Sequence, residues 1–318
     1  MSPSLPASAC TKPVVAATDR PMTHRRAVAL MVLVTLLWSL AGVVTRHLDA
    51  ARSFEVTFWR SAFNALALVV ALTWWRGLGL WRGLLTAGPA LWISGVCWAV
   101  MYTAFMIALT LTSVANVLVT MALAPLVTAL LSRFVLGHRL PARTWLAIVV
   151  AGAGIGWMFG TQAGDGALLG SLVACAVPLA GAVNLTVLQK VGKDAMVAVD
   201  MLPAVLIGGL LSAAVTLPLA WPLQTSAHDL GLLGMLGVVQ LAIPCLLMVR
   251  LTRELPAPEI SLLALLEVIF GVAWAWLGAG EAPTASVLLG GGLVLAALVG
   301  NELLALRRPR LRPEGAVG

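Results

Sequence analysis

Ten stretches of this chain are apolar over lengths that reach across a bilayer, a pattern that excludes an ordinary soluble domain. They lie at about 28–47, 54–75, 87–109, 113–134, 143–160, 167–189, 196–219, 231–250, 258–279 and 286–306. A membrane helix needs roughly 17–25 such residues. Hydrocarbon offers backbone groups no water, so each run is read as a helix that satisfies its own N–H and C=O groups. Composition agrees. The chain is 60% hydrophobic and 10% charged, with a mean hydropathy of +0.99, where a soluble domain carries about 25% charge. The expected fold is an all-α membrane protein of ten transmembrane helices.

The net charge of +7 raises nucleic acid as a partner, but the placement of the bases argues for topology instead. With the N-terminus inside, all but three of the 20 basic residues fall on the cytoplasmic side. Arg46 and Arg52 fall outside, and Arg60 lies within helix 2. That asymmetry follows the positive-inside rule. It predicts a multi-pass protein of the cell (cytoplasmic) membrane with both termini in the cytoplasm. Residues 1–26 read as a disordered cytoplasmic lead, and 307–318 as a basic cytoplasmic tail. Arg25 and Arg26 precede an apolar run too long for a signal peptide, so helix 1 is expected to stay uncleaved.

The chain also matches itself at an offset of 143 positions. Leu111–Trp157 falls on the segment beginning at Glu254, placing Leu123 on Leu266, Gly137 on Gly280, Leu146 on Leu289 and Ala153 on Ala296. Helices 1, 2 and 3 fall likewise on 6, 7 and 8. The halves are 28–160 and 171–303, five helices each. Five is odd, so the second half must enter the bilayer in the opposite sense. This predicts a five-plus-five inverted repeat, an arrangement that places transporter sites between the halves.

Several residues inside the predicted helices can carry chemistry. Glu267 lies roughly 13 Å into helix 9 at 1.5 Å per residue. A carboxylate at that depth must face the bundle interior, pair with a cation or bind a proton. Proton binding suits a coupled carrier; a hydrogen-bonded structural carboxyl is the competing reading. Arg60 can hold a substrate carboxylate in a bidentate pair, neutralise a protein carboxylate or snorkel to the surface. Asn64 follows one turn later on the same face. Asn116, Asn184 and Gln240 can bind substrate or glue helices. Trp38 and Tyr102, the only tyrosine, can stack on substrate or pack. Glu259 and Arg250, with Arg253 and Glu254, make either a candidate gate or ordinary flanking charges. Asp200 near the start of helix 7 is equally open.

Other features read as structural. Pro125, Pro178, Pro203, Pro218 and Pro244 free backbone groups within helices, consistent with kinks around a cavity or kinks of packing. Gly152, Gly154 and Gly156, like Gly290, Gly291 and Gly292, offer close helix contact. Trp74, Trp75, Trp81, Trp145 and Trp221 sit near helix ends as an interfacial belt. Cys10, Cys97, Cys175 and Cys245 have no disulfide or zinc spacing.

The segment ELPAPEISLLALLEVIFGVAWAWLGAGEAPTASVLLGGGLVLAAL resembles the second-repeat signature of the EamA-like branch of the drug/metabolite transporter superfamily. The matching positions are Leu255, Pro256, Glu259, Ser261, Leu262, Leu263, Leu266, Glu267, Gly280 and Glu281. The first repeat is similar through Ala115, Asn116, Pro125 and Gly137, and WSLAGVVTRHL in helix 1 also resembles the family. The resemblance covers about 28–306. It implies the ten-helix inverted repeat, cytoplasmic termini, a central cavity and export of amino acids, related metabolites or drugs. There are two departures. Val268 stands where the family usually has a proline, which predicts a straighter helix 9. Gly137-His138 replaces the Gly-Glu pair, removing an acid at the cytoplasmic turn.

The expected function is a secondary exporter of amino acids or similar small metabolites working by alternating access, with proton coupling open. Its partners are a small-molecule substrate and the lipid bilayer, without nucleic acid; no oligomeric state is set. Arg60 would meet a carboxylate, Asn184 and Gln240 would orient it, and Glu267 would meet an amine or carry the proton. The cavity would lie among helices 1, 3, 4, 6, 8 and 9. A passive facilitator and a non-transporting membrane subunit are the alternatives. An enzyme is not expected: HExxH, GxSxG and paired Asp-rich motifs are missing, His24, His47, His138 and His228 lie near ends or loops, and no cofactor is implied.

Overall fold

The computed structural model describes residues 22–51, 53–77, 79, 81, 84, 88–135, 141–161, 165–193, 201–251, 254–255 and 257–306. Residues 1–21 of the N-terminal lead, the basic tail, Arg52, His138, Asp200, Arg253 and Cys10 lie outside them, and α1 already begins within the expected lead, at His24. The described chain is helical throughout: α1 (His24–Thr45), α2 (Ser53–Arg76), α3 (Pro89–Leu111), α4 (Val114–Met121), α5 (Ala124–Val135), α6 (Ala142–Gly160) and α7 (Asp165–Ala174). Then follow α8 (Ala176–Lys193), α9 (Leu202–Ala220), α10 (Ala227–Met235), a π-helical segment (Leu236–Ala242), α11 (Ile243–Leu251), α12 (Ala257–Ala279) and α13 (Ala285–Leu306). Among the described residues, eight stretches are helical, long and apolar enough to cross a membrane, and two shorter apolar stretches, Leu263–Ala279 and Ala285–Asn301, follow them.

Three predicted helices are interrupted, and each interruption has a proline four residues downstream. Proline has no N–H to donate to residue i−4, and its ring collides with that residue's carbonyl. α4 ends at Met121, four before Pro125. α7 ends at Ala174, four before Pro178. Gln240, four before Pro244, lies where the helix widens into its π-helical turn. The equivalent of Pro125 in the second half is Val268, and α12 runs through it unbroken. Pro203 falls in the first turn of α9, where no N–H is missed, and Pro218 in its last.

Several buried hydroxyls are satisfied within their own helices. Thr35, Ser39 and Thr45 donate to the carbonyls of Val32, Leu36 and Ala41 at 2.8, 2.7 and 2.6 Å. Thr120, Thr186 and Thr216 do the same four residues back. This removes the cost of placing a polar group in hydrocarbon and leaves these helices free to pack. The surface is apolar, with Leu66, Val70, Leu146, Val149, Leu288 and Leu289 all exposed. Trp74, Trp75, Trp145 and Trp221 are exposed too.

The closest helix pairs are α6 with α13, α9 with both α2 and α3, α1 with α12, α3 with α8, α5 with α8, and the π segment with α2. Glycine sets one of these distances. A Cβ on Gly154 would stand 2.6 Å from the Gly290 carbonyl oxygen, while one on Gly152, Gly156 or Gly292 would meet nothing within 4 Å. Gly154→Ala is therefore expected to force α6 from α13 at a cost of about 1–3 kcal/mol. Gly156→Ala should be neutral. Thermal unfolding of the two purified variants checks the contrast, and equal melting temperatures would remove the argument.

Candidate functional site

The polar centre of the bundle begins with the bulge that Pro244 imposes. Gln240, 1% exposed, sits in that π-helical turn; such turns concentrate at functional sites. Its Oε1 accepts from Arg60 Nε at 3.2 Å and from Nη2 at 2.9 Å. Its Nε2 donates to the Trp38 carbonyl at 3.1 Å. One amide thus joins α1, α2 and the π segment. Arg60, on α2, is 2% exposed, and its Cζ stands 5.6 Å from the centre of the Phe105 ring, within cation–π range. Its Nη1 is buried with no hydrogen-bond partner among the described residues.

Around this pair lie residues from both halves of the chain. Tyr102 Oη and Cys245 Sγ are 3.6 Å apart, and Trp98 leans on the Tyr102 ring at 5.5 Å. Glu267, on α12, is partly accessible and has no hydrogen-bond partner among the described residues. Its charge interacts with Arg60, although no ion pair forms between the two side chains. One turn from Arg60, Asn64 is buried with neither amide atom hydrogen-bonded among the described residues. The structure thus assembles Trp38, Arg60, Tyr102, Gln240 and Glu267 in one region. Cys245 and Phe105 join them; Cys245 reads in the sequence as mere packing, and nothing there singles out Phe105.

Asn184 and Asn116 stand elsewhere. Asn184 Oδ1 accepts from Ser94 Oγ at 2.6 Å, fastening α8 to α3. Asn116, in the first turn of α4, donates from Nδ2 to Thr112 Oγ1 at 3.0 Å. Beside Asn184 is a crevice of about 330 Å³ among α3, α5 and α8, lined by Val96, Val100, Val127, Leu131, Leu179 and their apolar neighbours. It offers nothing to orient a polar molecule, and no residue of the Arg60 cluster lines it. Of the candidate gate, Arg250 is exposed and paired, while the Glu259 side chain lies outside the described residues.

One end of the bundle is fastened by carboxylates, most of which the sequence does not flag. Glu55, in the first turn of α2, accepts the backbone N–H groups of Gln224 and Thr225 at 2.6 and 2.7 Å, and the Thr225 hydroxyl. Asp229, in the first turn of α10, accepts those of Asp49, Ala50 and Ala51 at 2.9 Å each. Each acid thereby holds the loop preceding the other's helix. The available signal is local: Ser226 caps α10 by accepting the Asp229 N–H, the Ser-x-x-acid pattern of a helix start. Asp49, His228 and Asp229 bring their ligand atoms within 4.8 Å of one another. The Asp229 oxygens are already used by the backbone, and His228 Nδ1 rests 3.2 Å from Asp49, so no metal is assigned there.

Arg46 completes this end. It bonds Glu281 at 2.6 Å and donates to the carbonyls of Leu109 and Thr112 at 2.7 and 2.8 Å. Glu281 also accepts the Val114 N–H at 2.6 Å. Arg46→Ala is expected to cost about 1–2 kcal/mol, reduced from a buried charged network by solvent access. Exchanging the two charges in an Arg46→Glu, Glu281→Arg double variant should recover only part, because the carbonyl contacts are lost. Thermal unfolding reads both, and complete recovery would show that the ion pair alone matters.

The model of a family described as "EamA-like transporter family" matches residues 25–160 and 168–301. No curated protein matches the chain. A solved structure described only as "Crystal structure of protein" aligns at a TM-score of 0.60 and 19% identity, covering 89% of this chain and 98% of that one. At that identity the likeness is one of fold.

Proposed function

Because the chain belongs to the EamA-like transporter family, which makes it a multi-pass membrane protein of drug/metabolite transporter type, we propose that it is a secondary exporter of amino acids or related small metabolites. The observation that carries this reading is the central cluster. A buried arginine held by a neutral amide, beside a carboxylate without a hydrogen bond among the described residues, is charge machinery set between the two halves. Arg60 meets the substrate's carboxylate, and Glu267 meets its amine or carries the exchanged proton. Trp38, Tyr102 and Phe105 supply apolar walls. Asn184 and Asn116 act as helix fasteners rather than ligands in this reading.

The mechanism is alternating access about an inverted repeat comprising 28–160 and 171–303. Two observations support it. The two segments matched by the family model begin 143 residues apart, at 25 and 168 (168 − 25 = 143), the same offset at which the chain matches itself. Helix pairs also come in equivalent couples: α1 with α12 corresponds to α8 with α5, and α2 with the π segment corresponds to α9 with α3. With both termini in the cytoplasm, the Arg46, Glu55, Asp229 and Glu281 end is the outer one. Its fastened loops correspond to a closed outer face.

The test is flux. Full-length protein in proteoliposomes is loaded with a panel of labelled amino acids and followed with and without an imposed pH gradient. Accumulation against a concentration gradient only when the pH gradient is present supports the coupled exporter. Equilibration at the same rate in both conditions identifies a passive facilitator, and no flux of any panel member would reject the amino-acid reading.

A further inference from the structure

We propose that the Nε/Nη2 edge of Arg60 is the docking edge for a substrate carboxylate, and that the Gln240 amide is its resident surrogate, displaced when substrate arrives. This rests on the transport reading above and assigns Gln240 a different part in it: competitor rather than orienting contact.

The geometry of the pair carries the argument. Gln240 Oε1 accepts from Nε and Nη2 together, at 3.2 and 2.9 Å. Those two N–H groups are parallel and form the side of the guanidinium that a carboxylate grips with two oxygens. Here one neutral oxygen spans both donors. A carboxylate would give each donor its own acceptor and add charge, and charge-assisted bonds are about twice as strong as neutral ones. The site is occupied by the weaker of the two ligands it is shaped for.

Three further observations point the same way. A buried charge is ordinarily paired with an opposite one, yet no described acid forms an ion pair with Arg60; Glu267 is felt only through its field. The local hydrogen bonding is also incomplete. Arg60 Nη1 is buried and unpartnered among the described residues, a guanidinium donor left over for a further acceptor on the ligand. Finally, Gln240 is mounted on a π-helical turn that Pro244 forces, where backbone bonding is least regular and a side chain can be re-aimed at lowest cost. Displaced from Arg60, Gln240 keeps its bond to the Trp38 carbonyl. Binding then releases the Arg60–Gln240 bond between α2 and the π segment while leaving that segment's bond to α1, which links recognition of the carboxylate to the contact between these helices.

The experiment measures binding to full-length protein in lipid nanodiscs by titration calorimetry. The probes are glycine, L-leucine, L-phenylalanine and L-glutamate, with 3-methylbutylamine and leucinamide as analogues of leucine lacking the carboxylate. Gln240→Ala is expected to tighten binding of the carboxylate probes about tenfold, the worth of one charged hydrogen bond no longer contested, and to leave 3-methylbutylamine and leucinamide unchanged. Gln240→Glu, which builds the competing carboxylate into the protein, should abolish amino-acid binding with no fall in melting temperature. The stable Gln240→Glu variant keeps the result interpretable if Gln240→Ala folds poorly. Weaker or unaltered carboxylate binding in Gln240→Ala overturns the proposal, as does equal tightening of the two analogues. Flux of the analogues without carboxylate binding in any variant would sink this proposal alone and leave transport standing. Neither binding nor flux of any probe, in wild type or variants, would sink both.

Discussion

Glu267→Gln is expected to abolish pH-driven accumulation while leaving exchange of substrate across the membrane intact. The substitution keeps the shape of the side chain and removes both its charge and its capacity to release a proton. A carrier that exchanges one proton for one substrate can sustain about a hundredfold concentration ratio from a gradient of two pH units, since each unit is worth 1.36 kcal/mol. Without a titrating group in the pathway, accumulation falls to the level seen with no gradient, so the expected loss is about a hundredfold. Counterflow, in which labelled substrate exchanges for unlabelled, needs no proton and should persist. Glu267 has no hydrogen-bond partner among the described residues, so the variant breaks none of the described hydrogen bonds, and its melting temperature should match the wild type. Persistent pH-driven accumulation in Glu267→Gln would end the case for this residue as the proton carrier.

Asp229→Asn is expected to be the most destabilising single exchange at the fastened end. Asp229 is 0% exposed, and its two oxygens accept three backbone N–H groups from residues 49–51. Asparagine offers one oxygen and turns an NH2 group toward donors that need an acceptor. Loss of charged hydrogen bonds, partly replaced by water at the exposed loop, is expected to cost about 3 kcal/mol. Glu55→Gln should behave alike, since Glu55 holds residues 224–225 in the reciprocal sense. Because the two acids grip each other's loops, the double variant should lose less than the sum of the singles: a loop freed at one end strains the other less. Unfolding midpoints of the four proteins complete the cycle. Strict additivity would show two independent contacts.

Much of the fold can be read from the chain because its causes are local. An apolar run in lipid has to be a helix whatever its neighbours are. A proline disturbs the carbonyl four residues back by covalent geometry, which marks Met121, Ala174 and Gln240 as places for a break or bulge, whereas α9 passes Ala214, four before Pro218, without one. The uninterrupted course of α12 through Val268 follows by the same rule. Of the site, the sequence marks Glu267, Arg60, Gln240, Trp38 and Tyr102 because polar and large aromatic groups stand out in apolar helices. It marks Asn184 and Asn116 on the same ground, and the structure places these on Ser94 and Thr112 instead. An amide at membrane depth announces that it needs a partner; it does not announce which one.

That division runs through the whole protein. By itself the sequence determines where helices form, where they can be interrupted, which side chains are too polar to face lipid, and that the chain matches itself at an offset of 143. Only the tertiary structure decides that Gln240 grips Arg60 across 180 residues, that Arg46 grips Glu281 across 235, and that Glu55 and Asp229 hold opposite loops. The physical reason is range. Backbone satisfaction and proline sterics act within four residues, whereas a hydrogen bond or ion pair forms with whatever the packing of helices brings within about 3 Å.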